Sequence, residues 1–251
     1  MGKALEVLDI IAMAPKPLRF THILNELEQP RGTLHRNLSN LVEEGLVDVS
    51  ATGSYSPGLR LLNLAAQAWS KNTLRSVADR HIHRLHEAAG ETVHLGVLSG
   101  LEVIYLDKLE SQQAVRMHSQ VGNASPLYCT GIGKAILAIL PEDDFAAKAA
   151  AFDYVKHTPT TLHTTALLTA EIDKIRCSGI AQDREEHEPG IRCVAAGFGG
   201  NETGVFAGLS ITAPSFRTDE EKIARWETLV HGIARDIEKD LVPALGPRHG
   251  E

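Results

Sequence analysis

Between Arg31 and Val47 the chain reads "RGTLHRNLSNLVEEGLV", and its apolar positions fall at helical spacing. Leu34, Leu38, Leu41, Val42 and Gly45 gather on one face, while Thr33, Arg36, Asn40 and Glu43 point the other way. Pro30 suits the start of such a helix and Gly45 its end. Upstream, Ala4, Leu5, Leu8, Ile11 and Ala12 predict a first helix that "APKP" stops. Ile23, Leu24 and Leu27 predict a second, short helix, with Thr21 as its N-cap. Downstream, the alternation of Val47 and Val49, the "TGS" turn and Pro57 predict a two-stranded hairpin. Three short helices followed by a hairpin is the order of a winged helix-turn-helix, in which the third helix enters the major groove.

The helical rhythm resumes from Arg60 to about Leu74, with Leu61, Leu62, Leu64, Ala65, Ala68 and Trp69. That apolar surface is wide enough for two readings, pairing with a second subunit or packing on the chain's own C-terminal part. From about residue 76 the pattern turns mixed. A helix through Ile82, Leu85 and Ala89 ends at Gly90. "TVHLGVLSG", "LEVIYLDKLES" and "AVRMHSQVG" read as three strands, and "GIGKAILAIL" as a helix ending before Pro141. "LLTAEIDKIRCSG" reads as a helix stopped by Gly179. "IRCVAAGFG" and "GVFAGLSITAP" are strands around a "GNETG" turn, and a long helix with Ile223, Trp226, Val230, Ile233 and Ile237 follows. Because hairpins dominate, the expected fold is α+β: an antiparallel sheet flanked by helices, with room for a small-molecule pocket. The expected domains are 1–60 for the winged helix, 61–75 for a linker helix and 76–251 for the C-terminal domain.

Composition narrows the classes. In 251 residues, 43% hydrophobic and 23% charged content is that of a globular protein, and three cysteines are too few for a disulfide framework. No apolar run reaches membrane-spanning length and no signal-peptide order opens the chain, which points to the cytoplasm. The net charge of −7 advertises no general affinity for nucleic acid. Residues 1–60 hold six basic side chains (Lys3, Lys16, Arg19, Arg31, Arg36, Arg60) against seven acidic ones. The wing "SATGSYS" has no cation at all. Each neutralised phosphate adds about 0.9 to the salt slope of DNA binding, so one such domain is expected to bind loosely and two together to be needed.

The motifs, in order, are "ALEVLDIIA", "TLHRNLSNLVEEGLV", "YSPG", "GETVHLGVL", "VIYLDKLE", "SPLYCTGIGKAILA", "SGIAQDREEHEPGIRCVAA" and "GLSIT". Together they resemble the IclR family of bacterial transcriptional regulators over almost the whole chain. The resemblance implies a winged-helix DNA-binding domain, a dimerising linker helix and an effector domain of GAF-like or profilin-like fold. It further implies palindromic operators bound by homodimers or by pairs of dimers (homotetramers), with a small organic acid adjusting that binding and repression the expected sign. The stretch around Met117 and Tyr128 looks like the sugar-acid-sensing branch, which makes a sugar acid or keto acid the expected effector.

Within that frame, Arg36 is placed for guanine or a phosphate, Asn40 for adenine and Thr33 for a phosphate or a thymine methyl, with Arg31 and His35 at the flanks touching backbone. In the effector domain, Gly131 and Ile132 open the Ala/Ile helix, where unpaired N–H groups favour an anion. By resemblance Asp183 and Cys193 face the ligand, and Ser210 and Thr212 are the hydroxyl pair. As alternate strand residues these two share a face. His94 and Met117 lie on strands expected to line the cavity, His94 reading equally as a core histidine. Cys129 reads as structural. The family pattern after "CxAA" has Pro-Val, whereas this chain has Gly197-Phe198-Gly199-Gly200, a looser strand end with an added ring that bears on the pocket's shape.

Two other classes stand beside this reading. Asp183, His187 and Cys193, with His94 or His118, suggest a zinc- or ligand-binding sensor acting through protein partners, or a metal-dependent hydrolase. Against these, no HExxH, nucleophile elbow, Walker loop or GxGxxG stands in proper context, so neither catalytic residues nor a metal nor a cofactor is expected.

Overall fold

A computed structural model describes residues 2–113 and 119–245, which fall into two compact units, 1–72 and 73–251.

In the first unit, α1 (Gly2–Met13), α2 (Phe20–Glu26) and α3 (Arg31–Glu43) pack around Val7, Leu8, Ile11, Ile23, Leu34, Leu38, Leu41 and Val47. The sequence period of the third helix thus becomes its packed face. α2 starts two residues earlier than expected. Arg19 is its N-cap, with no side-chain cap bond, so Thr21 does not cap it. The chain before α2 is instead fixed by β1 (Leu18–Arg19), which adds an unpredicted third strand to the hairpin of β2 (Val47–Val49) and β3 (Ser54–Pro57) in the order β1-β3-β2. Gly45, at φ +67°, ends α3 in the left-handed conformation that suits glycine. Gln29 ties α3 to α1: its amide donates to Lys3 O at 3.1 Å and to Glu6 at 3.2 Å, and its oxygen accepts from Asn37 at 3.1 Å. The helix expected over 61–75 is α4 (Leu59–Ser70), in which no residue is buried; Leu62 is 69% exposed.

The second unit is a six-stranded antiparallel sheet in the order β6-β5-β4-β9-β8-β7. Its strands are β4 (Thr92–Ser99), β5 (Glu102–Leu109), β6 (Ala124–Pro126), β7 (Ala181–Arg184), β8 (Ile191–Gly200) and β9 (Val205–Pro214). Its helices are α5 (Thr73–Ala89), α6 (Gly131–Ile139), α7 (Glu142–Ala151), α8 (Thr165–Ser178) and α9 (Glu220–Leu245). Period-two alternation sorts the sheet's two faces. Val93, Leu95, Val194, Ala196, Phe198, Leu209 and Ile211 pack under α5 and α9, with Trp226 and Ile237. Cys193 and Ala195 turn to the opposite face, among Ile132, Ile136, Leu168 and Ile172 of α6 and α8.

Three expectations change. The strand expected over 114–122 is not one where it is described, since 119–122 form a turn and the third strand is β6; residues 114–118 lie outside the described residues. α7 and β7 were not anticipated. Finally, Gly197-Phe198-Gly199-Gly200 stays paired with β9 throughout, and Phe198 points into the α5/α9 core, so the added ring lies away from the pocket face, while Gly197 sits close under Ala135 of α6.

Candidate DNA interface and effector pocket

On α3, opposite the buried Leu34, Leu38 and Leu41, the side chains of Arg31, His35, Arg36, Ser39 and Asn40 are exposed. Thr33 is half buried and nearer the packed side than the bare period suggests. Arg31 and His35 are ordered by one ring: the Arg31 guanidinium lies over Phe20 at 5.3 Å and the His35 ring stands 6.3 Å from it. They therefore form one edge of the helix, while Arg36 and Asn40 occupy its outer face. In the wing, Ser50 Oγ accepts from Ser54 N at 3.1 Å and meets Thr52 Oγ1 at 2.9 Å, which shapes the turn without a cation. Of the basic side chains counted in the sequence, Arg60 is engaged by the Glu44 carboxylate and, at 2.7 Å, by Glu44 O. The surface offered to a polyanion is thus poorer in cations than the count alone implies.

In the second unit a cavity of about 250 Å³ opens on the α6 side of the sheet. Strand register builds its wall. Asp183 pairs with Cys193 and Cys193 with Thr212, while His94 pairs with Ser210, so four strands present these side chains in adjacent rows. The floor is the start of α6. Thr130 caps it, accepting from Gly133 N at 3.2 Å and donating to Pro126 O at 2.7 Å. The N–H groups of Gly131 and Ile132 meet no protein acceptor among the described residues. Gly131 is required by close approach, because a Cβ there would stand 2.6 Å from Cys193 Sγ.

Seven of the expected site residues, His94, Gly131, Ile132, Asp183, Cys193, Ser210 and Thr212, line this one cavity. Met117 lies outside the described residues. Unanticipated wall residues include Tyr105, Ser125, Thr130 and Glu188, and His187, named above only for the zinc reading, joins them. Thr130 carried a signal, a threonine directly before a helical run. Tyr105 did not: β5 is irregular opposite Leu95 and Gly96, and that shift sets Tyr105 across from Gly96.

The wall's electrostatics follow from burial. His94 is bonded through Nε2 to Ser119 Oγ at 2.7 Å, with Nδ1 3.4 Å from Thr212 Oγ1, and its ring lies tilted against Tyr105 at 5.1 Å. It is therefore both a satisfied buried histidine and a wall residue. Burial, aided by the Lys108 charge, pushes its pKa down to about 3, so it is a neutral donor-acceptor. Burial and the Glu186 charge push Asp183 up to about 7. Cys193 is raised to about 12, chiefly by burial, and burial lifts Cys129 above its ordinary range, so neither is an activated thiol. Behind the wall, Lys134 is 0% exposed, with Nζ donating to both oxygens of Glu186 at 2.5 and 2.7 Å. Thr158 and Thr161 donate to Glu186 O at 3.2 and 2.6 Å, which pins the 185–188 loop. Spacing hid this pair, its members standing 52 residues apart. Among the described residues no three His, Cys, Asp or Glu side chains group to hold a metal, and His118 lies outside them. No helix among the described residues is long and apolar enough to cross a membrane.

Comparison with known proteins accounts for both regions. A family model described as the IclR helix-turn-helix domain matches residues 2–50, and one described as bacterial transcriptional regulator IclR C-terminal matches residues 66–239. The HTH-type transcriptional regulator KdgR of Escherichia coli (strain K12) is 31% identical over 227 residues, covering 90% of this chain and 86% of its own. The transcriptional repressor AllR of the same organism is 32% identical over 216 residues, covering 86% and 80%. The crystal structure of the Thermotoga maritima IclR superposes with a TM-score of 0.73 at 31% identity, covering 96% of this chain and 98% of its own. These relatives are named as transcriptional regulators, which supports the regulator reading over the hydrolase and partner-only sensor ones. The chain belongs to the IclR family of transcriptional regulators, with an N-terminal DNA-binding helix-turn-helix and a C-terminal ligand-binding domain.

Proposed function

We propose that the protein is a repressor that binds a palindromic operator as a homodimer or a dimer of dimers and releases it when a small organic acid enters the C-terminal cavity. Arg36 and Asn40 read base edges, and Arg31, Thr33 and His35 hold the backbone. The carboxylate rests on the N–H groups of Gly131 and Ile132 and on the hydroxyls of Ser210 and Thr212. The observation that carries this reading is the convergence of side chains from β4, α6, β7, β8 and β9 on one helix N-terminus, in a chain that also carries a DNA-binding domain. The polar remainder of the wall, with Asn123, Ser125 and His187, favours a polyhydroxy acid, a sugar acid or keto-sugar acid. The likeness to the repressor AllR supports the sign.

The exposed apolar Leu59, Leu62 and Leu64 of α4 support its role as the dimerising linker. Ligand-linked reorientation of two such helices changes the spacing of the reading heads, and coupling of about 1–3 kcal/mol gives roughly 5–150-fold control. Fluorescence anisotropy on DNA flanking the protein's own gene tests this, with and without a panel of sugar, keto and aromatic acids. Palindrome-dependent binding weakened by one acid is expected. Binding that no acid alters would refute the effector reading.

A further inference from the structure

The cavity receives an acid without one lysine or arginine among its described lining residues. What it offers instead is the start of α6, a set of hydroxyls, a neutral His94 and a carboxyl group. Asp183 is 6% exposed. Its cross-strand partner Cys193 is the side chain that Gly131 packs against, so Asp183 lies one strand over from the residue at the helix N-terminus, and both line the same cavity. An anion seated on Gly131 and Ile132 therefore shares a buried site with a second carboxyl, and two carboxylates in one such site do not both stay ionised.

Resting on the acid-site reading above, we propose that the effector's carboxylate binds together with one proton, held between it and Asp183, so that Asp183 serves the ligand as a hydrogen-bond donor and ties its affinity to pH. No bond is made or broken in this step apart from the O–H at Asp183, whose proton comes from solvent.

The groups that face Asp183 from each neighbouring element set how it titrates, and burial raises the adjacent Glu186 as well. On its own loop, Glu186 N–H donates to Asp183 Oδ1 at 2.7 Å and His187 N–H also favours the ionised form, opposing the Glu186 charge. The Glu186 carboxylate is taken by Lys134 of α6, which Glu171 of α8 approaches at 3.9 Å. Arg184, next along the strand, is turned to Glu171 at 3.4 Å. Cys193 on β8 and Tyr105 on β5 are both held near 12, Cys129 before α6 is held high, and His94 on β4 stands near 3. Burial and then His157 lower His187 from its ordinary value, opposed by Glu188, which is exposed at the rim. Asp183 itself, raised by burial first and Glu186 second, stands at about 7. Below that pH the proton is already in place and binding costs nothing extra. Above it the proton must be drawn from solution, and affinity falls toward about tenfold per pH unit.

Isothermal titration calorimetry on the full chain reads this directly, using 2-keto-3-deoxygluconate, D-gluconate, pyruvate and 4-hydroxybenzoate as probes from about pH 6 to pH 8.5. For the acid that binds, we expect a Kd that is flat near pH 6 and rises roughly tenfold between about pH 7.5 and 8.5. Repeating the titration in phosphate and Tris buffers should show uptake approaching one proton per ligand at the upper end. Asp183→Asn keeps a donor that does not titrate, so its Kd should match the wild type near pH 6 and stay flat. The proton count on the wild type stands even if that variant folds poorly. An acid that binds with no buffer-dependent heat and no change in Kd would overturn the inference and leave the acid site standing. So would a variant that keeps the full pH dependence. Failure of every probe to bind at any pH would overturn both.

Discussion

The α3 surface and the C-terminal cavity are each proposed to receive a negatively charged partner, by opposite means. On α3 the cations are exposed, at one helix face, and come from a run of ten residues from Arg31 to Asn40. In the cavity no described wall residue is a lysine or arginine, and the groups come from strands and a helix between His94 and Thr212. The difference follows from desolvation. A side-chain cation in water keeps its hydration until a phosphate displaces it, whereas a buried one needs a permanent partner, as Lys134 shows by its pairing with Glu186. A cavity that must stand open without its ligand is better served by N–H groups and hydroxyls, which cost far less to desolvate than an unpaired charge and which water can satisfy until the ligand arrives.

The contrast can be broken most forcefully at Lys134. Lys134→Met leaves Glu186 buried without its ion pair, and chemical denaturation should show a loss of about 3–5 kcal/mol confined to the C-terminal unit. The matched Lys134→Met/Glu186→Leu pair should recover much of that. Next comes the cavity floor. Gly131→Ala sets a Cβ 2.6 Å from Cys193 Sγ, so a cost of about 1–3 kcal/mol and loss of ligand-induced thermal stabilisation are expected, with operator binding intact. At the DNA face the effect is smaller and of another kind. Arg31→Ala should reduce the slope of log affinity against log salt by about 0.9 for each phosphate that the guanidinium neutralises, and leave the ligand response unchanged. Smallest of all is Arg60→Ala. Its guanidinium and the Glu44 carboxylate are about half exposed, 49% and 61%, so stability should move by less than about 1 kcal/mol. Because that cation is already engaged, the salt slope should stay where it is.

The same contrast explains what could be read from sequence. The reading helix was legible because one period governs it: Leu34, Leu38 and Leu41 are the core, and Arg36 and Asn40 lie outside. Ser210 and Thr212 were legible on one face for the same reason, with the strand period in place of the helical one. β7 was hidden because "AQDR" alternates buried and polar within the same residue, Asp183 being both. α7, "EDDFAAKAAA", buries only Phe145 and Ala149, too few positions to set a period. Tyr105 escaped because the irregularity in β5 breaks the alternation at that point. The Lys134–Glu186 pair and the Thr158–Thr161 lock on the 185–188 loop depend on contacts between distant segments, for which no local pattern exists.

The division of labour between the two anion sites is tested most directly by two readouts on two variants: operator affinity, and the thermal shift produced by the bound acid. Arg36→Ala should lose operator affinity by roughly 10–100-fold, about 1–3 kcal/mol, while the acid still stabilises the C-terminal unit as in the wild type. Ser210→Val, which replaces a wall hydroxyl with two methyls, should do the reverse, holding the operator in the presence of acid and showing no thermal shift. Both variants losing both readouts, or Arg36→Ala binding the operator as tightly as the wild type, would contradict the assignment of DNA reading to α3 and effector sensing to the cavity.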